Sequence, residues 1–209
     1  MRTEDLIVTL AADSKPAPPP SRAFGLAIGI GAVGAAILFF IVLGPRPDFM
    51  HAISTLRFDF KFVVTFSLAA SALVLALRLA RPESSANRTI LLAVPAMLAA
   101  AIVLELMNVP AQDWLARWIG HNARACMTSI PFLSLLPLAA IFAALRQGAV
   151  TRPRLAGAVA GLLAAGIGAS FYAAHCPDDS PLFVATWYTL ASLIVAGIGA
   201  FLGPRLLRW

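Results

Sequence analysis

The chain has 209 residues, of which 60% are hydrophobic and only 12% are charged, and its formal net charge is +6. Its mean hydropathy of +0.84 lies far above the range of a soluble globular domain and excludes that class. The sequence therefore predicts an integral membrane protein. Six apolar runs use most of the length, so we expect one membrane domain preceded by a short leader.

The leader comprises residues 1–22 and opens with a short amphipathic pattern. At 100° per residue, Leu6, Ile7 and Leu10 fall on one stripe of a helix. A proline-rich spacer, residues 15–21, separates this helix from the first apolar run and predicts a stiff, extended tether. The acids and prolines of the leader are not those of a cleaved signal peptide, which favours a first transmembrane helix.

So short a helix is marginal in water, and its apolar stripe needs a partner. The bilayer surface, the loops of the same protein and a second protein are the three alternatives. Helices that lie on a membrane surface usually carry Lys and Arg on their polar face, whereas this helix carries acids. A protein partner is therefore favoured.

Six apolar runs follow, each long enough to cross a hydrocarbon core of about 30 Å as a helix. They occupy residues 24–43, 62–80, 89–107, 127–145, 155–174 and 182–202. The predicted fold is all-α, an integral membrane bundle of six transmembrane helices over residues 23–209 with the amphipathic helix in front. Two pairs of small residues, Gly25 with Gly29 and Gly157 with Gly161, predict close helix packing inside this bundle.

The basic residues predict the orientation of the bundle. Eleven of the 16 Lys and Arg residues fall in the leader, the second and fourth connections and the C-terminus, and the other five fall in the remaining connections. By the positive-inside rule both termini are cytoplasmic. The net charge of +6 is then a signal of topology, and membrane lipid rather than nucleic acid is the expected contact.

The two cysteines lie at the outer ends of two successive spans. Cys126 precedes the fourth apolar run and Cys176 follows the fifth, and adjacent antiparallel helices pack about 8–10 Å apart. Three interpretations remain open. The pair forms a permanent disulfide, worth about 4 kcal/mol for a loop of this length, or it is a switch between thiol, disulfide and metal-bound forms, or the two are inert buried thiols.

Polar residues near the cysteines provide possible metal ligands or groups that support them: His121, His175, Asp178 and Asp179. Two thiolates with one or two imidazoles suit a soft or borderline cation. The spacing lends weak support, because the chain has neither CxxC nor HxxxH. No cofactor is required by this pattern, and transient binding of a soft metal is the alternative to a Cys126–Cys176 disulfide.

Enzymatic function is not expected, because a disulfide-generating oxidoreductase needs a redox-active close pair such as CxxC. Glu105 is the only acid within an apolar run, and intramembrane acids are functional candidates. It lies near the end of its run, where it can reach water or pair with Arg117 or Arg124. A small transporter or metal exporter is the alternative function.

Several segments together resemble a known family. RTEDLIVTLAAD in the leader, the six-span layout, ELMNVP followed by tryptophans, Cys126, and HCPDDSPLFVATWY resemble the NrsF-type membrane anti-sigma factors. This resemblance implies a protein of the bacterial inner membrane that holds an extracytoplasmic-function sigma factor and releases it under stress. Cysteines facing the periplasm would sense an oxidant or a heavy metal, which favours the switch interpretation of Cys126 and Cys176.

The resemblance also assigns the leader to the sigma factor. Leu6, Ile7 and Leu10 would supply the apolar contact, and Asp5 and Asp13 would face basic surfaces of the sigma factor. The predicted response is a shift of helices four and five that reaches the inner connections, residues 78–88 and 146–154, and changes how the leader presents its helix.

Overall fold

A computed structural model describes residues 3–13, 20–81 and 88–207, and within these ranges there is no β-strand. The first five α-helices are α1 (Thr3–Asp13), α2 (Pro20–Val42), α3 (Phe49–Ala52), α4 (Leu56–Leu79) and α5 (Ala93–Asn108). They are followed by α6 (Trp114–Ile119), α7 (Ala123–Leu145), α8 (Pro153–Ala173), α9 (Pro181–Phe183) and α10 (Thr189–Leu206). Two 3₁₀ turns (Arg88–Leu92, Ala111–Asp113) and a π-helical turn (Val184–Tyr188) complete the described elements.

The prediction of six membrane-spanning helices is confirmed by length and composition. The six candidate spans are Ser21–Val42, Leu56–Leu79, Thr89–Asn108, Ala111–Leu145, Pro153–Ala173 and Pro181–Leu206. Their apolar surfaces face outward as well as inward, as expected for helices that contact lipid. The amphipathic leader helix is also observed as α1. Residues 15–19 of the predicted spacer lie outside the described residues, and the prediction of an extended spacer was wrong for Pro20 and Ser21, which begin α2.

Two predicted boundaries were wrong. The second span begins at Leu56 rather than at residue 62, because the charged first turns of this helix were interpreted as a connection. The fourth helix, α7, begins at Ala123 and is preceded by a separate short helix, α6. A run of six helical residues is too short to give a periodic signal in the sequence.

Helix α8 is the centre of the bundle, packing against α10, α4 and α7. A Cβ on Gly157 would overlap the carbonyl oxygen of Gly199, and one on Gly161 would overlap the backbone of Val195. The predicted packing through Gly157 and Gly161 is thus confirmed. It was wrong for Gly25 and Gly29, where an added Cβ would meet nothing within 4 Å.

The bundle has two distinct ends. At the leader end α2 begins, α4 ends and the α7–α8 connection turns, and the amide of Ala149 donates to the carbonyl of Ala80 at 3.1 Å. At the opposite end, here called the cysteine end, three connections meet: residues 43–55, 109–122 and 174–180. Most of the described ion pairs lie in or beside these connections.

Candidate functional site

The two thiols occupy one buried cluster at the cysteine end. Cys126 lies in the first turn of α7 and Cys176 lies just beyond the end of α8, and both side chains are 0% exposed. Their placement at the same end of neighbouring helices confirms the prediction from the sequence. Both are free thiols in this structure, so any reagent must reach them through a closed surface.

Aromatic side chains enclose the thiols. Tyr172, Phe183 and Tyr188 are buried in the same cluster, and the rings of the two tyrosines lie 5.8 Å apart. The π-helical turn brings Tyr188 into this position, and its hydroxyl is buried without a hydrogen-bond partner among the described residues. π-Helical turns are often found at functional sites. Sequence patterns gave no indication of this turn.

A buried lysine lies directly beside the Cys176 backbone. Lys61 is 0% exposed, its Nζ donates to the carbonyl oxygen of Cys176 at 2.7 Å, and it pairs with Asp179 at 2.5 Å. Burial raises the pKa of the Cys176 thiol, and the charge of Lys61 acts in the opposite direction. Since the thiolate is the reactive form, Cys176 is held in its unreactive state while it remains buried.

The carboxylate of Asp179 forms ion pairs with two cations. Besides Lys61 it binds the guanidinium of Arg46 at 2.8 Å, and Arg46 also contacts Asp48 at 2.6 Å. The hydrogen bond to Asp48 raises the pKa of Arg46, and the same bond lowers the pKa of Asp48. Asp179 therefore fixes the loop that carries Cys176 to α4 and to the connection in front of it, residues 43–55.

Asp178 binds the connection in front of α7. Its Oδ2 accepts from the backbone amides of His121 at 3.0 Å and Asn122 at 2.8 Å, and from Nδ2 of Asn122 at 3.0 Å. The His121 ring lies 3.7 Å from Oδ1 and its side chain is 93% exposed. Nδ1 of His175 lies 2.9 Å from the carbonyl oxygen of Gly44, which assigns the ring proton to that nitrogen.

The four possible metal ligands therefore have other contacts. Among the described residues no group of three or more His, Cys, Asp or Glu side chains has an arrangement that could hold a metal ion. Asp178 and Asp179 connect the Cys176 loop to its neighbours. The two histidines contact different groups, His121 the Asp178 carboxylate and His175 the carbonyl oxygen of Gly44. A metal site built on these side chains stays a hypothesis.

Glu105 is 5% exposed and forms a second ion-pair cluster. It contacts Arg57 at 2.9 Å and Arg117 at 3.1 Å, and the hydroxyl of Ser180 lies 3.4 Å from its Oε1. Pairing with Arg117 was one of the two predicted possibilities, whereas Arg124 is exposed and Arg57 was not anticipated. Glu105 thus joins the first turn of α4 to two of the connections at the cysteine end.

The leader helix presents charged and apolar groups to its surroundings. Glu4, Asp5 and Ile7 are exposed, and the Ile7 side chain is 61% exposed. The side chains of Leu6, Leu10 and Asp13, also assigned to partner binding, lie outside the described ones. An exposed isoleucine beside two acids is consistent with the predicted amphipathic surface.

Comparison with known proteins gives a consistent result along the chain. Residues 10–209 match the NrsF family, described as "Negative regulator of sigma F". The chain is 37% identical over 218 residues to "Probable anti-sigma-F factor NrsF" of Azospira oryzae and 38% identical over 216 residues to "Anti-sigma-F factor NrsF" of Caulobacter vibrioides, with 100% of each chain covered in both cases. No solved structure matches the chain.

Proposed function

The chain belongs to the NrsF family of negative regulators of sigma F, and from this premise we propose that it is a membrane-bound anti-sigma factor controlled by its two thiols. It sequesters an extracytoplasmic-function sigma factor through the leader helix at the cytoplasmic face of the bacterial inner membrane. It releases the sigma factor when Cys126 and Cys176, at the periplasmic face, react with an oxidant or bind a heavy metal.

The observation that carries the proposal is the full-length similarity to anti-sigma-F factors. Two features of the molecule support its details. An 11-residue helix with an exposed Ile7 is marginal alone and gains stability from a protein groove. Two buried thiols at the cysteine end form a site whose chemistry changes on oxidation or metal binding.

The orientation is inferred from charge. Eleven of 16 basic residues fall at the leader end or in the termini, which supports a cytoplasmic leader and a periplasmic cysteine end. A periplasmic location permits disulfide formation. A transport function has less support, because Glu105 is neutralised between two arginines rather than placed along a polar pathway. No catalytic activity is proposed.

The test uses the full chain in nanodiscs and a purified extracytoplasmic-function sigma factor from the same organism. Ile7→Glu should weaken binding by about tenfold or more, since burying an isoleucine contributes roughly 1.5–3 kcal/mol. Ala12→Glu, which places the same charge at another exposed position of α1, is the matched control and should bind like the wild type.

A second preparation lacking residues 1–22 should lose the sigma factor entirely, both in this assay and in a pull-down from native lysate. Equal binding by wild type and Ile7→Glu would show that the leader is not the interface. Absence of sigma-factor binding by the correctly inserted wild type would contradict the anti-sigma assignment.

A further inference from the structure

The connection between α5 and α7, residues 109–122, is here called the strap. It contains one 3₁₀ turn and the short helix α6, and it ends at the residue whose carbonyl oxygen accepts the Cys126 amide at 2.8 Å. Leu115 and Trp118 on α6 are 60% and 49% exposed. Tryptophan-rich helices at the end of a span are typical of the membrane–water interface.

The strap is fastened to α9 and the π-helical turn that follow the Cys176 loop. The indole of Trp118 donates to the hydroxyl of Thr186 at 2.7 Å, and the indole of Trp187 donates to the carbonyl oxygen of Trp118 at 3.1 Å. Gly120 has a φ of 61°, and a Cβ at this position would overlap the ring of Phe183. The strap therefore lies directly on the aromatic wall of the thiol cluster.

Two sets of polar contacts, here called the latches, hold the strap against its neighbours close to the thiols. Arg117 pairs with the buried Glu105, which also contacts Ser180. Asp178 accepts three hydrogen bonds from His121 and Asn122, while its own carbonyl oxygen lies 4.0 Å from the Cys176 sulfur. One residue thus contacts the strap through its side chain and the thiol through its backbone.

The charge beneath the strap is negative. Within the described residues, the ion pairs give Asp178 no partner other than the exposed His121 ring, which is charged only when protonated. Asp179 and Glu105, in contrast, are each neutralised by two cations. This carboxylate lies where the strap meets the Cys176 loop, so a reagent that passes between them comes close to it.

We propose that the strap is the access gate of the two thiols, and that Asp178 beneath it makes the entrance selective for cationic over anionic reagents. Because both thiols are 0% exposed, their reaction requires opening of the strap, and its rate follows the fraction of molecules in which the latches are broken. The proposed gate adds an access step to the thiol response proposed above, and its biological role rests on that response. The chemistry of access is measurable without any sigma factor.

The test compares two thiol reagents of similar size on the full chain in nanodiscs. They are the cationic trimethylammonium-ethyl and the anionic sulfonatoethyl methanethiosulfonates. In both reactions the thiolate attacks the sulfenyl sulfur, a mixed disulfide forms, and methanesulfinate leaves with the bonding electron pair. Modification of Cys126 and Cys176 is followed by mass spectrometry, and each rate is divided by that of the same reagent with 2-mercaptoethanol.

Breaking a latch should accelerate both reagents. Arg117→Gln leaves Glu105 paired with Arg57 and should raise both rates about two- to fivefold, the effect of one partly exposed ion pair on an opening equilibrium. Arg124→Gln, which removes the same charge from an exposed neighbour, is the matched control and should leave the rates unchanged. Trp118→Phe, which removes the hydrogen bond to Thr186, is a second loosening variant if Arg117→Gln lacks native helical content.

Charge selectivity is measured as the normalised rate of the cationic reagent divided by that of the anionic reagent. A change in thiol pKa cancels in this ratio, because both reagents react with the same thiolate. The wild type should favour the cationic reagent, and Asp178→Asn should lower this preference about three- to tenfold, the effect of one nearby unit charge. Asp113→Asn on the strap is the control.

Unchanged rates in both loosening variants, or equal acceleration by Arg124→Gln, would overturn the gate. The proposed selectivity would be overturned if the wild type showed no preference for the cationic reagent. It would also be overturned if Asp178→Asn and Asp113→Asn had the same ratio of cationic to anionic rates.

Discussion

At the scale of single residues, the buried Lys61 has the most demanding environment in the described part of the molecule. Its ammonium group is fully buried and has two oxygen partners, the carbonyl of Cys176 and the carboxylate of Asp179. A buried ammonium is stable only when it is paired and hydrogen-bonded. The position of the Cys176 loop therefore depends on this side chain.

Replacing Lys61 by methionine should act on both stability and reactivity. Asp179 would keep only Arg46, and the Cys176 carbonyl would lose its charged donor, so we expect a loss of about 1–3 kcal/mol in the free energy of unfolding. Removing the positive charge should also raise the already elevated pKa of Cys176 further. The pH profile of its alkylation should then shift to higher pH, because only the thiolate reacts.

Unfolding in detergent and alkylation across a pH series measure the two effects. Lys15→Met is the matched control, since Lys15 and Lys61 are the two lysines of the chain and Lys15 lies in the leader spacer. A pH profile of Lys61→Met that coincides with the wild type would show that the ammonium does not influence the thiol.

Sequence patterns identified the cysteines but not the side chains around them. Lys61 was interpreted as part of a connection because three charged residues occur within five positions. Arg117 was anticipated as a partner of Glu105. Its second partner Arg57 and the Asp179 partner Arg46 were not, since they lie 48 and 133 positions away along the chain. Such pairs depend on the three-dimensional arrangement of the connections, which periodicity does not encode.

At the scale of elements, the close approach of α8 and α10 determines the packing of the bundle. Gly157 and Gly199 face each other so closely that a Cβ on either would overlap the other's carbonyl oxygen. Apolar surface provides no drive for association in lipid, so close backbone contact replaces it. The length of the apolar runs was sufficient to predict the six spans, and the small residues predicted close packing of α8 but not its partner α10. The strap and the π-helical turn are too short or too irregular to leave a pattern.

Gly199→Ala should therefore separate the two helices. Relieving the overlap requires a backbone shift, for which we expect a cost of about 1–3 kcal/mol in the free energy of unfolding. Gly197→Ala lies two residues away on the same helix, where a Cβ would meet nothing within 4 Å, and it should be neutral or slightly stabilising because alanine favours helix. Unfolding of both variants in the same detergent would check this, and equal stability of the two would show that the approach is not tight.

At the scale of the whole molecule, the thiols and the start of α2, the span that follows the leader, lie at opposite ends of the bundle. Helices α7 and α8 begin or end near the thiols and meet at the leader end, and 21 residues of α8 extend about 30 Å. A chemical change at the cysteines can alter the leader only if the bundle has two arrangements that both sites distinguish. The charged clusters at the cysteine end, which hold the connections together, are the contacts that such a rearrangement would change.

This coupling must be reciprocal if it exists. A soft divalent cation such as Cd²⁺ that weakens sigma-factor binding by some factor must itself bind more weakly, by the same factor, when the sigma factor is present. Typical couplings predict a factor of about 5–150. Titrating each ligand in the presence and absence of the other, on the full chain in nanodiscs, determines both factors independently.

Replacing Cys126 and Cys176 with serine provides the control for this cycle. The double variant should bind the sigma factor like the wild type, because the leader is unchanged, and it should show no effect of Cd²⁺. The thiols would not control sigma-factor binding if Cd²⁺ left the affinity of the wild type unchanged. The same conclusion would follow if the serine variant responded to Cd²⁺ as the wild type does. Agreement of the two factors would instead show that both ends of the bundle bias one equilibrium, which is the physical requirement for a transmembrane sensor.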